Sequence, residues 1–521
     1  MKTYDIIVAG GSIGGVMAAY AACSEGKTVL LTENTDWIGG QLTNQGVPSD
    51  EHDWIEKFGA SKTYHDYRKK VRDYYKNHPF IKAEYKDKHI FNPGDGWVSD
   101  IAHEPKLALH LFHEMLMPFE TNETLTIELN TTLKSVKTVN ETLKSATFQK
   151  RDGSLFEAQA KYFIDATDTG EMLPLSGTDY VSGAEGDIYG EPHAYEKAEP
   201  TDMQPITWVG AVSFHEGEKH PMEKPEQYDH FRSIIMPYEK PLLSWFGPTL
   251  DVSSKARKFR MEGSFDPEKN PHPPLFTYRQ FINKNLYKND YKINDATLIN
   301  WPQNDYVFGN IFDDDKAEHH QYMAKQLTLS LIYWLKTEAP RDEGGVGYPE
   351  LKLRGDLLGT EDGLAKAPYI RESRRMKTAY IVKEQDISAK INDQLPTYWD
   401  SVGVGCYHID LHMTTKTKEY FFENTWPFEI PLGSFISTNT SNLIPGCKNI
   451  GTTHITNGCF RLHPVEWNIG EVAGYLATYC INHNLSPQTL YADQSKVKAF
   501  QRYLETKGIQ RHWPKDEVHA I

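Results

Sequence analysis

Two histidines and an aspartate alternate along one short stretch of the chain. In Cys406–His412, which reads CYHIDLH, the polar residues His408, Asp410 and His412 stand two positions apart. If this stretch is extended, the three side chains lie on one face of a strand. Imidazole and carboxylate groups exchange protons near neutral pH, so such a face could move a proton to or from a bound molecule.

Three interpretations of this polar face stay open. It lines a substrate cleft, it is structural or exposed, or its imidazoles bind a metal ion. Three polar groups on one strand face are costly in an apolar core and useful in a cleft. Redox chemistry carried by an organic cofactor needs no metal, so we predict no metal site.

Other polar residues form two further candidate groups. The run 371–375, RESRR, is either a solvated basic turn or a source of cations, Arg371 or Arg374, for a substrate or cofactor. Asn304 and Asp305 either line the same cleft or cap a turn. His454, Arg461 and His463 precede a predicted helix near the C-terminus.

A cofactor site is indicated by residues 5–34, which read as strand, glycine-rich turn, helix and second strand. In such a unit the glycines let the backbone approach a pyrophosphate, and the helix N-terminus attracts its charge. Glu33 ends the second strand and would accept hydrogen bonds from a ribose. Ser12 stands where the common spacing has its middle glycine. The predicted dinucleotide contacts are Gly10, Gly11, Ser12, Ile13, Gly14, Gly15, Glu33 and Asn34.

Two more segments point to a flavin dinucleotide. Residues 36–46, DWIGGQLTNQG, follow the acid directly and offer the backbone that a ribityl chain and ring need, which adds Gly40 and Gln41. The alternative is a plain glycine loop. Residues 162–171 form an apolar strand that ends in small and acidic side chains after a hairpin signal at 151–153. The predicted contacts in this strand end are Asp165, Ala166 and Thr167.

Length and charge limit the class of protein. A chain of 521 residues exceeds one simple core, so two domains are expected. The net charge of -15 argues against nucleic acid as a partner. We expect no membrane span and no signal peptide, because no apolar run is long enough and a strand pattern begins near residue 5. Five scattered cysteines favour a reducing, cytoplasmic location.

The chain resembles the FAD-dependent oxidoreductase family of the glutathione-reductase-like flavoprotein superfamily, in the branch related to succinate dehydrogenase and fumarate reductase flavoproteins. The resemblance spans nearly the whole chain. It rests on GGSIGGVMAA with WIGGQLTNQGV, IDATDTGE, PYIRESRRM and NGCFRLHPVEWNIGEVAG, and INWPQNDY is also similar. The chain departs from the family pattern at Ser12 and at Val465-Glu466, where relatives often have a cysteine after the proline.

The resemblance implies an α/β fold: a Rossmann-like FAD-binding domain with a β-meander, plus an inserted mixed α+β substrate or cap domain. The implied boundaries are 1–48, 118–185 and 435–485 for a discontinuous FAD-binding domain, 49–117 and 186–434 for the substrate or cap domain, and 486–521 for a C-terminal extension.

The same resemblance places the flavin at the start of the C-terminal helix and implies that His454, Arg461 and His463, just before this helix, contact the substrate or the flavin. Pro464 suits the first turn of this helix, and residues 466–471, with Asn468 and Ile469 as predicted contacts, would lie near the flavin. Some relatives attach FAD to a histidine that follows the second-strand acid. Residues 34–46 contain no histidine, so we predict non-covalent FAD.

We therefore predict an FAD-dependent oxidoreductase that transfers a hydride between the flavin and a small polar substrate. His408, His412 or His463 would move the proton, and Arg371 would face the active site. The 29 Tyr and 11 Trp residues favour a polyhydroxylated or sugar-like substrate.

The alternative is a flavin-binding carrier or interaction protein with a degenerate site. A dehydrogenase that binds only NAD is disfavoured, because the C-terminal segment returns to the first domain. The sequence identifies no electron acceptor, reaction direction or oligomeric state.

Overall fold

The computed structural model describes residues 2–250, 254–263, 272–312 and 315–521. The strands are β1 Lys2–Ala9, β2 Val29–Thr32, β3 Leu125–Glu128, β4 Thr131–Val139, β5 Thr142–Lys150, β6 Leu155–Asp165, β7 Tyr180–Val181, β8 Ile206–Thr207, β9 Gly210–Phe214, β10 Phe246–Pro248, β11 Ala256–Lys258, β12 Gln280–Ile282, β13 Ala296–Ile299, β14 Asp305–Tyr306, β15 Leu351–Leu353, β16 Tyr369–Ile370, β17 Arg375–Met376, β18 Ser401–Gly405, β19 Ile409–Leu411, β20 Phe421–Glu423, β21 Phe428–Pro431 and β22 Leu443–Pro445.

Fourteen α-helices accompany these strands in the part of the chain that the structure describes. They are α1 Ile13–Ser24, α2 Lys62–Asn77, α3 Ala83–Lys86, α4 Pro105–Thr121, α5 Met172–Ser176, α6 Tyr228–Ser233, α7 Leu275–Tyr278, α8 Ala317–Thr337, α9 Gly355–Leu358, α10 Glu384–Ile387, α11 His454–Asn457, α12 His463–His483, α13 Pro487–Tyr491 and α14 Gln494–Thr506. Among the described residues, no helix is both long and apolar enough to cross a bilayer.

Strands β1 to β6 and β22 form a seven-stranded mixed sheet. Strands β3, β2, β1 and β6 are parallel in that order, and β22 adds a parallel partner to the end of β6. Strands β4, β5 and β6 form an antiparallel meander. This confirms the predicted α/β class. Register pairs Ala9 with Thr32 and with Asp165, so the strand ends that carry the candidate cofactor residues meet at one edge.

Helices α1 and α12 pack closely through small residues. A Cβ atom on Gly470 would lie 2.2 Å from the carbonyl oxygen of Gly14, and one on Gly474 would lie 2.4 Å from that of Ala18. Because only glycine permits this approach, the two backbones touch near their N-terminal halves. Pro464 stands in the first turn of α12, as the sequence predicts. The packing brings the start of α12 to the glycine-rich turn.

Helix α4 lies across one predicted domain boundary. It runs without interruption through residues 117 and 118 and packs on α1, where the rings of Phe119 and Tyr20 lie 5.8 Å apart. Strand β3 follows it and joins the central sheet beside β2. The division of the chain at 117/118 stays a prediction, and the helix that contains it packs on α1.

The inserted part of the chain carries smaller sheets. Strands β12, β13, β9 and β15 form one, and β14, β8 and β16 form another. The second sheet places Asp305 and Tyr369 on either side of β8. A separate pair, β19 and β20, carries Asp410. These short strands carry Asp305 and Asp410, two of the candidate polar residues.

Candidate active site

The glycine-rich turn joins β1 to α1. Gly10 has a φ of +94°, which favours glycine, and a Cβ on Gly15 would lie 1.9 Å from the carbonyl oxygen of Gly10. The side chain of Ser12 accepts a hydrogen bond from the Gly15 backbone N–H at 3.2 Å and caps α1. Serine in place of the middle glycine therefore stabilises the helix start. Ile13 and Gly14 form the first residues of α1.

Glu33 lies at the end of β2 against the glycine-rich turn. Its Oε2 accepts a hydrogen bond from the Gly11 N–H at 3.0 Å, and its Oε1 accepts one from the Thr35 N–H at 2.8 Å. Burial raises the pKa of Glu33 to about 7. The turn and the acid are thus held in the mutual arrangement that a dinucleotide site requires.

A cavity opens at the carboxyl edge of the central sheet. Among its lining residues are Gly10, Ser12, Glu33, Asn34, Asn44, Gln45, Thr131, Thr132, Thr167, Asp168 and Glu171. The side-chain oxygens of Asn44 and Gln45 are buried and have no hydrogen-bond partner in the part of the chain that the structure describes. Buried polar atoms are normally paired, so these oxygens fit a polar ligand such as the nucleotide half of FAD.

Asp165 and Ala166 shape the cavity from below. Asp165 is fully buried and accepts hydrogen bonds from the N–H groups of Thr167 at 3.1 Å and Met172 at 2.9 Å. Ala166 lies under Gly10, whose Cβ position is 2.4 Å from the Ala166 carbonyl oxygen. Thr167 lines the cavity itself. Of these three predicted contacts, two support the backbone and one faces the open space.

Glu466 connects the start of α12 to the glycine-rich turn. Its Oε1 accepts from the Gly14 N–H at 3.3 Å, and its Oε2 accepts from Gln41 Nε2 at 2.6 Å. Lys448 lies 3.4 Å from the same oxygen and also pairs with Asp168. Although burial lowers the pKa of Lys448, these two carboxylates raise it well above its usual range. A buried, charged network thus adjoins the predicted pyrophosphate position.

Asn468 and Ile469 lie one turn further along α12. Asn468 packs against β18, where a Cβ on Gly403 would lie 1.7 Å from its Oδ1, and Ile469 is buried in the core. Gly40 has a φ of +52° and a Cβ position 3.0 Å from the Ser12 Cα, so this loop does touch the turn. Contact between flavin and Asn468 or Ile469 stays a prediction, while Glu466 and Gln41 lie at the turn itself.

The second group of polar residues centres on His412. Its Nδ1 lies 2.6 Å from Asp305 Oδ2, and its Nε2 lies 3.3 Å from Asp410 Oδ2. Arg371 Nη2 lies 2.8 Å from the other oxygen of Asp305. Burial raises the pKa of Asp305, but Arg371 and His412 reduce it below its usual value. His412 is thus held on both ring nitrogens by ionised carboxylates.

Asp410 extends this group toward the start of α12. It accepts a hydrogen bond from Tyr420 Oη at 2.9 Å and lies 3.2 Å from Arg461 Nη2. Arg461 Nη1 donates in turn to Tyr369 Oη at 2.7 Å. Burial opposes ionisation, yet His412 and Arg461 hold the pKa of Asp410 well below its usual range. We call Arg371, Asp305, His412, Asp410, Arg461 and Tyr369 the cap cluster.

His408 does not join the cap cluster. Its ring lies against Phe422, with centroids 4.7 Å apart, and its Nδ1 has no hydrogen-bond partner among the described residues. Burial lowers the pKa of His408. The alternation in the sequence places Asp410 and His412 in one network, and a catalytic role for His408 stays a prediction.

Arg371 is bound on several sides by the protein. Its Nη1 donates to the Pro205 carbonyl oxygen at 2.9 Å and to Thr207 Oγ1 at 2.8 Å, in addition to the ion pair with Asp305. With these bonds made, Arg371 orients Asp305 and, through it, His412. This arrangement favours a positioning role for Arg371.

His463 and Asp50 form a pair at the start of α12. The backbone N–H of Asp50 donates to His463 Nδ1 at 3.0 Å, and His463 Nε2 is buried without a partner among the described residues. Burial and the charge of Arg279 lower the pKa of His463 to about 3. A neutral imidazole that accepts a hydrogen bond on Nδ1 carries its proton on Nε2, and this N–H can donate a hydrogen bond to a ligand.

Asp50 is the functional candidate that the sequence reasoning missed. Burial raises the pKa of Asp50 to about 6, although Arg279 and Arg461 act in the opposite direction. A carboxylate with such a pKa suits general-base chemistry near neutral pH. The available signal was the acidic run 49–53, SDEHD, which follows the predicted flavin segment directly.

The remaining candidates lie in neighbouring networks. His454 Nδ1 lies 2.8 Å from Glu372 Oε1, and Glu372 also pairs with Arg375 at 2.5 Å. Arg374 Nη1 donates to the Thr169 carbonyl oxygen at 2.8 Å, beside the nucleotide cavity. Asn304 fulfils the structural alternative, because its Oδ1 accepts from the Trp301 N–H at 2.8 Å and caps a turn.

The chain matches the family model described as FAD dependent oxidoreductase over residues 5–504. It belongs to this family. The match confirms the predicted family and its cofactor, FAD. No curated protein matches the chain.

Solved structures give partial matches to this FAD-dependent oxidoreductase. L-proline dehydrogenase from P. horikoshii has 17% identity and a TM-score of 0.19, over 35% of this chain and 23% of that one. The myxobacterial chondrochloren halogenase has 14% identity and a TM-score of 0.23, over 43% of this chain and 46% of that one. A flavoprotein/dehydrogenase from Cytophaga hutchinsonii has 16% identity and a TM-score of 0.24, over 41% of this chain and 46% of that one. The matched part is less than half the length of each of these structures.

Proposed function

We propose that this protein oxidises or reduces a small polar organic molecule by hydride transfer to or from non-covalently bound FAD. The observation that carries the proposal is the continuous set of contacts from the nucleotide cavity, through the start of α12, to the cap cluster. Gln41 donates both to Glu466 and to the Arg461 carbonyl oxygen at 2.9 Å. Gln41 therefore contacts both Glu466, beside the predicted cofactor position, and Arg461, a residue of the cap cluster.

FAD supplies the hydride acceptor or donor when it is bound. The chain's own residues bind and orient the substrate and move its proton. Asp50, with its raised pKa, accepts the proton from a substrate hydroxyl or C–H donor, and neutral His463 donates a hydrogen bond from Nε2. His412, held by Asp305 and Asp410, either exchanges the proton or fixes the charge around it.

Arginine side chains support a polar substrate. Arg279 lies beside Asp50 and His463, and its Nε and Nη1 are buried without a hydrogen-bond partner among the described residues. Unpaired buried donors are costly, so they favour a ligand rich in oxygen atoms. Both a polyhydroxylated, sugar-like molecule and a small carboxylic acid meet this requirement, and the sugar-like class remains the substrate we predict.

The cofactor part of the proposal is tested on purified protein. We expect a yellow protein that releases its flavin as FAD on acid precipitation, because residues 34–46 offer no histidine for attachment. Flavin that stays with the precipitate would contradict the non-covalent proposal. A colourless protein that cannot be reconstituted with FAD would contradict the assigned site.

The substrate part is tested by anaerobic bleaching of the flavin with a panel of polyols, sugars, amino acids and hydroxy acids. One class should reduce the flavin at a rate that saturates with concentration. If chemical reductant bleaches the flavin but no member of a wide panel does, while oxidised candidate products also fail to reoxidise it, the carrier alternative replaces the enzyme.

A further inference from the structure

A group of metal-binding side chains lies outside the site described above. His215, Glu218 and His220, in the segment HEGEKH after β9, each offer a ligand atom within 4.8 Å of the others. Neighbouring backbone holds both histidines: the His215 N–H donates to the Glu350 carbonyl oxygen at 3.0 Å, and the His220 N–H donates to that of Pro349 at 2.9 Å. The two rings are therefore fixed on the same side of the loop, 4.7 Å apart.

Hydrogen bonds assign the tautomer of His215. Its Nε2 lies 2.8 Å from Ser213 Oγ, and its Nδ1 lies 3.2 Å from the amide nitrogen of Asn294. The amide can only donate, so Nδ1 carries the lone pair and Nε2 carries the proton. The same nitrogen lies 3.4 Å from Glu218 Oε2, and a metal ion bound to Nδ1 would replace the 3.2 Å contact with the Asn294 amide. Two electron-rich atoms at this distance repel each other unless a cation lies between them.

His220 meets the same carboxylate oxygen without making a hydrogen bond. Its Nε2 is buried and lies 2.9 Å from Glu218 Oε2, yet no N–H is directed at a partner among the described residues. A zinc ion takes nitrogen and oxygen ligands at about 2.0–2.2 Å, which puts tetrahedral ligands about 3.3–3.5 Å apart. The two distances to Glu218 lie near this spacing, so small side-chain movements complete the geometry.

We propose that His215, Glu218 and His220 form a binding site for a divalent transition metal, best suited to Zn²⁺. Two imidazoles and one carboxylate leave the fourth position to water. Ser213 holds the His215 ring from its other nitrogen, as outer-shell partners of metal-bound histidines commonly do. The ion would link the two ends of the 215–220 loop directly after β9, and this role is independent of flavin chemistry.

The test uses tag-free, FAD-loaded protein that has been treated with chelator and then titrated with Zn²⁺ against a chromophoric chelator. We expect one tight equivalent. His220→Ala and Glu218→Gln should each weaken binding about tenfold or more. The matched control is Glu216→Gln, an exposed acid of the same loop outside the cluster, which should bind zinc like the wild type. X-ray absorption at the zinc edge should show two imidazole ligands.

Two results would overturn the proposal. One is the absence of any equivalent that binds more tightly than about 100 µM, which is too weak for a built three-ligand site. The other is zinc binding that survives in both variants but disappears in His193→Ala, which would move the site to the second such cluster, His193, Glu384 and Glu423. FAD content shows whether each variant is folded. If His220→Ala does not fold, Glu218→Gln still tests the proposal.

Discussion

The nucleotide cavity and the cap cluster are built in opposite ways. The cavity uses one turn, 10–15, with an acid about twenty residues later, and its key groups are backbone N–H groups at a helix start. The cap cluster uses side chains from β14, β16, β19 and the start of α12, far apart in the sequence. A local backbone motif can be recognised from spacing, whereas a side-chain cluster exists only once long-range packing has formed.

The largest expected effect comes from a substitution that disrupts the glycine-rich turn at the nucleotide cavity. In Gly15→Val the new Cβ would lie 1.9 Å from the Gly10 carbonyl oxygen, so the turn must open and FAD should be lost almost completely. FAD content after purification and far-UV circular dichroism measure this. The control is Gly26→Ala at the other end of α1, where φ is +74° but no atom lies within 4 Å. Normal FAD content in Gly15→Val would show that the turn is not the binding site.

The next largest effect comes from a substitution that disrupts the cap cluster and leaves the nucleotide cavity intact. His412→Ala should slow substrate-driven flavin reduction by about 10²–10⁴-fold, the usual loss for a general acid or base, while FAD content stays normal. Anaerobic stopped-flow reduction is the measurement, with exposed His89→Ala as control. The sequence pattern predicts the same loss for His408→Ala, but the geometry predicts a smaller one. Equal rates in His412→Ala and wild type would remove the cap cluster from catalysis.

The Asp50 carboxyl should make the rate of substrate-driven flavin reduction depend on pH. Its raised pKa means that the carboxyl is protonated below about pH 6 and acts as a base only above it. The rate of flavin reduction should therefore rise with pH through about 6 and level off. Asp50→Asn should lose this limb and run about 10²-fold slower at neutral pH. An unchanged limb in Asp50→Asn would assign the base to another group.

The smallest effect concerns Glu33, one of the side chains that bind the glycine-rich turn. Glu33→Gln keeps the size of the side chain but turns one acceptor oxygen into an amide donor, so FAD affinity should fall about tenfold, as is typical when a hydrogen-bond acceptor is lost. Equilibrium dialysis of FAD measures this. Glu128→Gln, at the end of the neighbouring strand β3, is the matched control. A loss as large as that of Gly15→Val would mean that Glu33 also supports the fold.

The structure also separates residues that looked equivalent in the sequence. Alternation put His408, Asp410 and His412 on one face, but β19 covers only Ile409–Leu411, so both histidines lie outside the strand. Tertiary contacts then separate them, because His412 pairs with Asp410 and His408 packs against Phe422. Asp50 carried no motif, and its raised pKa arises from desolvation, which outweighs the opposite effect of Arg279 and Arg461, both remote in sequence. Spacing could not reveal either fact.

The sequence by itself determined the βαβ unit, the helix that begins near Pro464 and the FAD-dependent family. These depend on short-range patterns: apolar runs, glycines where φ is positive, and a helix cap. Only the tertiary structure decided that Arg371 orients His412 through Asp305, and that His463 is neutral beside Asp50. The physical reason is that burial and charge pairing set the state of an ionisable group, and both come from residues far away along the chain.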